Sequence, residues 1–313
     1  MSTTMQLLRT DWFGLLVAFL LGAIMLGVAQ PSFLSTYNIY VILTAFALSV
    51  LVALSQMVIV AIGQLNLSVG AIGGLAAITF AGAMDLWNVP IPVAILIGLM
   101  VGVAGGALNG VVTHVTGLNA FVVTLATLSI FKGTNIGITE AQPFYDIPEA
   151  VKTFGNARFG FFPYLLFVSG AILVAVWVFM RRAVLGRQLL AVGGNRNAAE
   201  LSGISIGRVV VAAHVLSGTL AAVAGMLAVA RLQLGQPTIG DDWLIISFAA
   251  PVIGGAVLAG GHVSVGGTLL GVAIIMLINN ALVLLNVNPY AVQLLLGALI
   301  LAAVALSRFR DPA

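Results

Sequence analysis

Ile39-Tyr-Val-Ile-Leu-Thr-Ala-Phe-Ala-Leu-Ser-Val-Leu-Val-Ala-Leu-Ser-Gln-Met-Val-Ile-Val-Ala-Ile62 runs for 24 residues without a charge. As a helix it would be about 36 Å long, enough to cross the roughly 30 Å hydrocarbon core of a bilayer. Nine further apolar runs follow or precede it: Trp12–Ala29, Ser68–Met84, Ile91–Val112, Phe121–Ile138, Phe161–Met180, Val209–Ala230, Trp243–Leu258, Val265–Leu285 and Ala291–Ser307. Composition agrees over the whole chain. Of 313 residues, 61% are hydrophobic and 7% charged, against about 25% charged in an ordinary soluble domain. Too little polar surface exists to cover a water-facing globule, so lipid must solvate most of it. The expectation is an all-α polytopic membrane helix bundle of about ten segments, forming one transmembrane domain over residues 1–313. Ser68–Met84 and Trp243–Leu258 are short and rich in small residues, so either is a candidate broken or re-entrant segment. An eight-span version, with both re-entrant, keeps the same sidedness.

Charge placement orients the spans. The loop 181–208 carries Arg181, Arg182, Arg187, Arg196 and Arg208 against Glu200 alone, the strongest cytoplasmic signal in the chain. Six spans before it and four after put Arg9 and the pair Arg308/Arg310 on the same side, so both termini are expected in the cytoplasm. Met1–Asp11 has one Arg and no cleavage pattern and is expected to be a cytoplasmic lead-in. The stretch 140–160, with Glu140, Asp146 and Glu149 against Lys152 and Arg158, falls outside. A net charge of +3 is accounted for by these basic loops, and nucleic acid is not an expected partner. The tripeptide Ser-Val-Gly opens apolar stretches at both Ser68–Gly70 and Ser264–Gly266, a faint trace of internal duplication.

Catalytic chemistry is missing. The chain has no cysteine, its three histidines (His114, His214, His262) stand far apart, and neither GxxxxGK[ST] nor HExxH occurs. No catalytic residue, metal site or cofactor is therefore expected. Ionisable groups within the spans reduce to Lys132 and His214, with Lys132 able to snorkel toward an interface. An ion-coupled carrier needs such groups in its interior, so the pattern points to a path for a neutral polar solute driven by another subunit. A self-sufficient facilitator is the competing class.

The basic loop holds a short element. Asn197 followed by Glu200 resembles a capping box, Ala198, Ala199, Glu200 and Leu201 favour helix, and Gly203 supplies a left-handed stop. Two turns of this kind suit a rod docking into a groove on a partner, or a turn lying on anionic lipid.

Ala191-Val-Gly-Gly-Asn-Arg-Asn-Ala-Ala-Glu-Leu-Ser-Gly-Ile204 resembles the cytoplasmic coupling-helix motif in the permease subunits of bacterial sugar ATP-binding-cassette importers, the ribose/xylose/arabinose type. Leu67–Gly70, Gly106–Gly110, Asn119–Leu128, and Ala249–Gly255 with Gly260-Gly261 follow the same family pattern in order, covering about Phe33 to Gly297. The resemblance implies a second permease copy, a cytoplasmic ATPase subunit and a periplasmic solute-binding protein as partners in the bacterial inner membrane. It implies ATPase-facing roles for Gly194, Asn195, Ala198, Ala199, Ser202 and Gly203, with Glu200 at the rim. The family usually reads Gly-Gly-Ile-Asp-Leu-Ser-Val-Gly where this chain reads Gly63-Gln-Leu-Asn-Leu-Ser-Val-Gly70. Asn66 is then either a helix cap or a solute contact, and related branched-chain amino acid permeases also carry Asn there. Leu244 and Ile246 replace acids usual in the family, while Asp241 and Asp242 sit earlier, expected outside as binding-protein contacts. Neutral polar candidates for the translocation path are Asn66, Ser68, Asn109, Asn119, Asn279 and Asn280, with Phe121 as a ring for a sugar face. The expected cargo is a monosaccharide or polyol, the alternative a nucleoside or branched-chain amino acid.

Overall fold

Capping chemistry sets several of the helix starts. Ser35 accepts from the Asn38 N–H, Asn119 from Phe121 and Ser264 from Gly267, while prolines 90 and 92 open another helix without a side-chain cap. The computed structural model describes residues 13–287 and Gly297. Among the described residues the helices are α1 Phe13–Ala29, α2 Thr36–Ala61, α3 Val69–Asp85, α4 Ile91–Thr116, α5 Ala120–Thr139 and α6 Glu149–Asn156, followed by α7 Tyr164–Arg182, α8 Val184–Gly194, α9 Arg196–Leu201, α10 Ile206–Leu232, α11 Trp243–Ile253 and α12 Val265–Leu284. A two-residue hairpin, β1 Arg158–Phe159 with β2 Phe162–Pro163, turns at Gly160 in the left-handed region and starts α7 three residues later than the apolar run suggests.

Six of these helices, α2, α4, α5, α7, α10 and α12, are long and apolar enough to span a membrane, and α1, α3 and α11 are shorter apolar helices. The polytopic all-α bundle is thus as the sequence implies. The run Ala291–Ser307 and the terminal arginines lie outside the described residues. Of the two readings of Trp243–Leu258, a full span or a broken segment, the structure has the broken one: its helix stops at Ile253 after 11 residues, about 16 Å, too short to cross. Pro251 removes an amide donor near its end, and Gly254 lies where its backbone meets that of Gly267, with no room for a side chain between them.

The bundle centres on α2 and α10, whose apolar stretches are mostly buried by protein, whereas α4, α5, α7 and α12 leave broad faces open. Close approach of α10 to α4 depends on missing side chains. A Cβ on Gly102 would strike Gly218 and Ala222, one on Gly106 the backbone of His214 and Val215, and one on Gly218 the carbonyl of Gly102. Without a hydrophobic drive between helices in lipid, such backbone proximity is what dispersion and packing can use. Antiparallel contact continues to Gly110 against Val211 and His114 against Gly207, fixing the relative depth of every residue on these two helices.

After α10 the chain does not stay at the surface. Gly235 pairs with Phe144 in an antiparallel bridge near Ala81, at one end of α3. The carbonyl of Ile239 then occupies the place of a Cβ on Gly74, and that of Gly240 the place of one on Gly70. From Ala81 to Gly70 is eleven helical residues, so this segment descends about 16 Å along α3 before α11 begins.

Candidate functional site

The break between α2 and α3 is where three of the path candidates gather. Gly63, with φ of 70°, ends the helical run, and Gln64 to Asn66 continue without helix. Irregular backbone inside a membrane bundle requires partners for each freed amide and carbonyl. Leu67 N–H donates to Thr124 Oγ1 at 3.0 Å, and Ser68 N–H to Asn66 Oδ1 at 3.0 Å. With its amide oriented to satisfy both groups, Gln56 donates to the Asn66 carbonyl (3.0 Å) and accepts from the Asn66 N–H (3.2 Å). Asn66 Nδ2 donates to Ser217 Oγ at 3.2 Å, and Ser68 Oγ donates to Asn66 Oδ1 at 2.8 Å. Asn109 Nδ2 donates to Ser68 Oγ (2.8 Å) and Thr127 Oγ1 to Asn109 Oδ1 (2.7 Å).

Asn66, Ser68 and Asn109 therefore belong to one fully buried clasp that joins α3, α4, α5 and α10. Its further members, Gln56, Thr124, Thr127 and Ser217, do not stand out individually in the sequence, because an isolated hydroxyl or amide in a helix is ordinary, though Thr124 and Thr127 lie within the Asn119–Leu128 stretch. His214 and Gln64 meet beside it at 3.1 Å. The other candidates lie elsewhere. Asn119 caps α5 through Phe121 N–H at 2.9 Å, with the Phe121 ring exposed. Asn280 exchanges two amide hydrogen bonds with Asn38 (2.8 and 3.0 Å), tying α12 to α2. Asn279 stands next to it with Oδ1 buried and without a partner.

Asp241 and Asp242 are not at the outer rim where the sequence suggested. The descending segment carries them to the level of Gly70, because glycines 70, 74 and 240 allow backbone to lie on backbone. There Asp241 Oδ1 pairs with Lys132 Nζ at 2.9 Å.

The basic loop folds into α8 and α9. The N-cap of α9 is Asn195, not Asn197: its extended backbone (φ −157°, ψ 103°) points Oδ1 at the Ala198 N–H, 2.9 Å away. Asn197 already lies inside the helix, so the Asn197/Glu200 box does not form. The exit is as expected. Gly203 at φ 81° donates to Glu200 O (2.9 Å) and Ile204 to Ala199 O (3.1 Å), the two bonds of a Schellman ending. Asn195, Ala198, Glu200, Ser202 and Gly203 are exposed, and Leu201 is 90% exposed. Ala199, expected on the same surface, turns inward and is buried with Leu189, Val192 and Ile206, since a six-residue helix lying on the bundle must bury one face.

Gly194 is exposed beside Gly261, but its neighbour Gly193 makes the tight contact. A Cβ on Gly193 would strike the Ala61 carbonyl and the Gly261 amide, and Gly261 N–H donates to Ala61 O at 3.1 Å. Gly260 in turn rests on Gly63 and Gly193. The basic-loop hairpin, the end of α2 and the loop before α12 thus meet backbone to backbone. Among the described residues no three His, Asp or Glu side chains converge as a metal site.

Residues 38–304 match the family model described as branched-chain amino acid transport system / permease component. The chain is 34% identical over 287 residues to the ribose import permease protein RbsC of Bacillus subtilis, covering 91% of this chain and 89% of the relative. It is 34% identical to the D-allose transport system permease protein AlsC of Escherichia coli (88% and 85% covered), and 30% identical to the L-arabinose transport system permease protein AraH of Escherichia coli (97% and 92%). No solved structure matches the chain.

Proposed function

The chain belongs to the family of branched-chain amino acid transport system permease components, and on that premise we propose that it forms the path for a monosaccharide through the bacterial inner membrane. A component of this kind is a multi-pass membrane protein of an ATP-binding-cassette importer, and ATP hydrolysis lies in a separate subunit. Two copies would pair, a periplasmic binding protein would deliver solute outside, and both termini and the loop 181–208 would face the cytoplasm. The exposed surface of α9, led by Ala198, Leu201 and Ser202, is the ATPase docking element. The observation that supports this most directly is a helix fixed at both ends by its own caps yet presenting Leu201 almost wholly to solvent. An exposed leucine at the tip of a rigid, capped turn suits insertion into a partner groove.

The cargo is inferred from the sugars named in the relatives and from the neutral, hydroxyl- and amide-rich interior. The experiment is ATP-dependent uptake by the transporter assembled with its ATPase and binding protein, with D-ribose, D-allose and L-arabinose competing against L-leucine and uridine. Competition by a sugar alone is the expected result. Competition by leucine or uridine alone would transfer the cargo assignment to the amino acid or nucleoside class.

A further inference from the structure

We propose that the Lys132–Asp241 ion pair lines the water-filled path at mid-depth and binds the hydroxyls of the passing solute. This deepens the permease assignment and rests on it.

Depth follows from a chain of contacts. Asn135 donates to the Pro237 carbonyl at 3.1 Å, and its amide would touch a Cβ on Gly74. Gly73 packs on Ala221, near the middle of α10, and against Gly225. Lys132 lies three residues from Asn135 toward the start of α5, and Asp241 follows the Gly240 that rests on Gly70. Both charges therefore stand about midway along the bundle. They are not enclosed by it: the side chains are 49% and 45% exposed.

A half-exposed ion pair at that depth has three possible surroundings. Hydrocarbon is strongly unfavourable for lysine and aspartate at the centre of a span. Snorkelling is closed to this pair, because Asp241 is too short to reach an interface and holds Lys132 beside it. Burial in a tight second-copy contact would remove the remaining donors and acceptors from water without partners. Water in a path leaves them solvated. On α5, Ser129 lies one turn before Lys132 and is exposed, as are Leu125 and Ile136 on the same face, while Gly133 and Gly137 are exposed to one side of it. Gly133 and Gly137 have open space where a Cβ would sit, unlike the packed glycines of α4 and α10.

The chemistry matches a polyol. The ammonium has three donors and uses one on Asp241 Oδ1, leaving two N–H groups beside a carboxylate with acceptor capacity to spare. Each sugar hydroxyl both donates and accepts, so neighbouring hydroxyls can bridge the two groups. Net neutrality of the pair means no charge is demanded of the solute.

The native chain contains no cysteine, so single-cysteine variants report directly. Ser129→Cys, with Val174→Cys on the open face of α7 as control, is assembled with the ATPase and binding protein in proteoliposomes. It is then exposed to methanethiosulfonate ethyltrimethylammonium. Modification at residue 129 that blocks ATP-dependent D-ribose uptake, with residue 174 unreactive, is the expected result. In parallel, Lys132→Met and Asp241→Asn should each raise the KM for D-ribose about tenfold, as loss of a charged hydrogen bond implies, while the ATPase still co-purifies. An unreactive Ser129→Cys in a transporter that still takes up ribose would overturn the inference and leave the permease assignment standing. So would a disulfide formed between residues 129 of two copies. Failure of the permease assignment itself is distinct: the unmodified protein would show no ATP-dependent uptake.

Discussion

Gly193→Ala is the substitution whose effect is fixed most narrowly by geometry. In an ordinary helix interior it would stabilise by about 1 kcal/mol, since alanine is the better helix former. Here the added methyl meets the Ala61 carbonyl and the Gly261 amide, both backbone atoms that no rotamer change can move. Bringing those contacts to van der Waals distance requires the seam to widen by roughly an ångström. Overpacking of this kind costs about 1–3 kcal/mol. The Gly261–Ala61 hydrogen bond, 3.1 Å long, would stretch and forfeit about 1 kcal/mol more. Set against the propensity gain, the net destabilisation is about 1–3 kcal/mol, localised where the basic-loop hairpin meets α2. The assay is the ratio of ATP hydrolysed to sugar taken up in the assembled transporter, beside the thermal midpoint of the detergent-solubilised permease. Gly170→Ala, with open space around the added methyl, is the control expected to change neither measure adversely. A Gly193→Ala protein with the midpoint and the ratio of the parent would refute the claim that this seam is close-packed and transmits force.

Leu201→Asp and Ala198→Arg should abolish ATPase co-purification while membrane insertion and thermal midpoint stay within a degree or two, because both side chains are exposed. Ala199→Arg should instead lower the midpoint, its site being buried. Asn195→Ala removes the α9 cap and should cost about 1 kcal/mol, read as increased protease cleavage of the loop 181–208 and reduced uptake. A double-mutant cycle of Asn38→Ala and Asn280→Ala should give a coupling of about 0.5–1.5 kcal/mol, measured by unfolding in mixed micelles; strict additivity would deny the amide clasp. Gly106→Leu should prevent recovery of folded protein, as the side chain would occupy the backbone of α10.

The membrane spans were legible because a helix crossing hydrocarbon leaves a long uncharged run, and Ile39–Ile62 and α2 coincide within a few residues. The short elements were not. That Trp243–Leu258 is broken was open from its length and small residues, but where it ends, at Ile253, is set by the backbone approach of Gly254 to Gly267. Asn195 and Asn197 are chemically identical capping candidates. Which one caps is decided by the backbone angles at the exit of α8, a tertiary property. Ala199 and Ala198 likewise differ only in which side of a six-residue helix faces the bundle. Asp241 was placed outside because it follows a span. Its descent along α3 depends on glycines at 70, 74 and 240 matching across 170 residues of sequence, and no local pattern records that.

Close contacts at Gly193 and Gly261 explain how a small displacement of the α8–α9 hairpin would reach the polar clasp. Side chains absorb strain by rotating, whereas backbone pressed on backbone has no soft degree of freedom. Gly193 lies on Ala61, and Ala61 is bonded through its carbonyl to Gly261. Any movement of the α8–α9 hairpin larger than this contact's slack must therefore carry both Ala61 and Gly261 with it or break their hydrogen bond. Ala61 is five residues ahead of Asn66, across a stretch with no helix to dissipate the shift. Asn66 holds Ser217 of α10 and, through Ser68, Asn109 of α4 and Thr127 of α5. Gly261 leads in three residues to the Ser264 cap of α12. One rigid contact thus branches to two interruptions among the described helices, the break before α3 and the turn between α11 and α12. Interruptions are where a helical bundle can bend without losing paired hydrogen bonds. The α8–α9 hairpin is seated against those points and not against the middle of an intact helix, which would resist it.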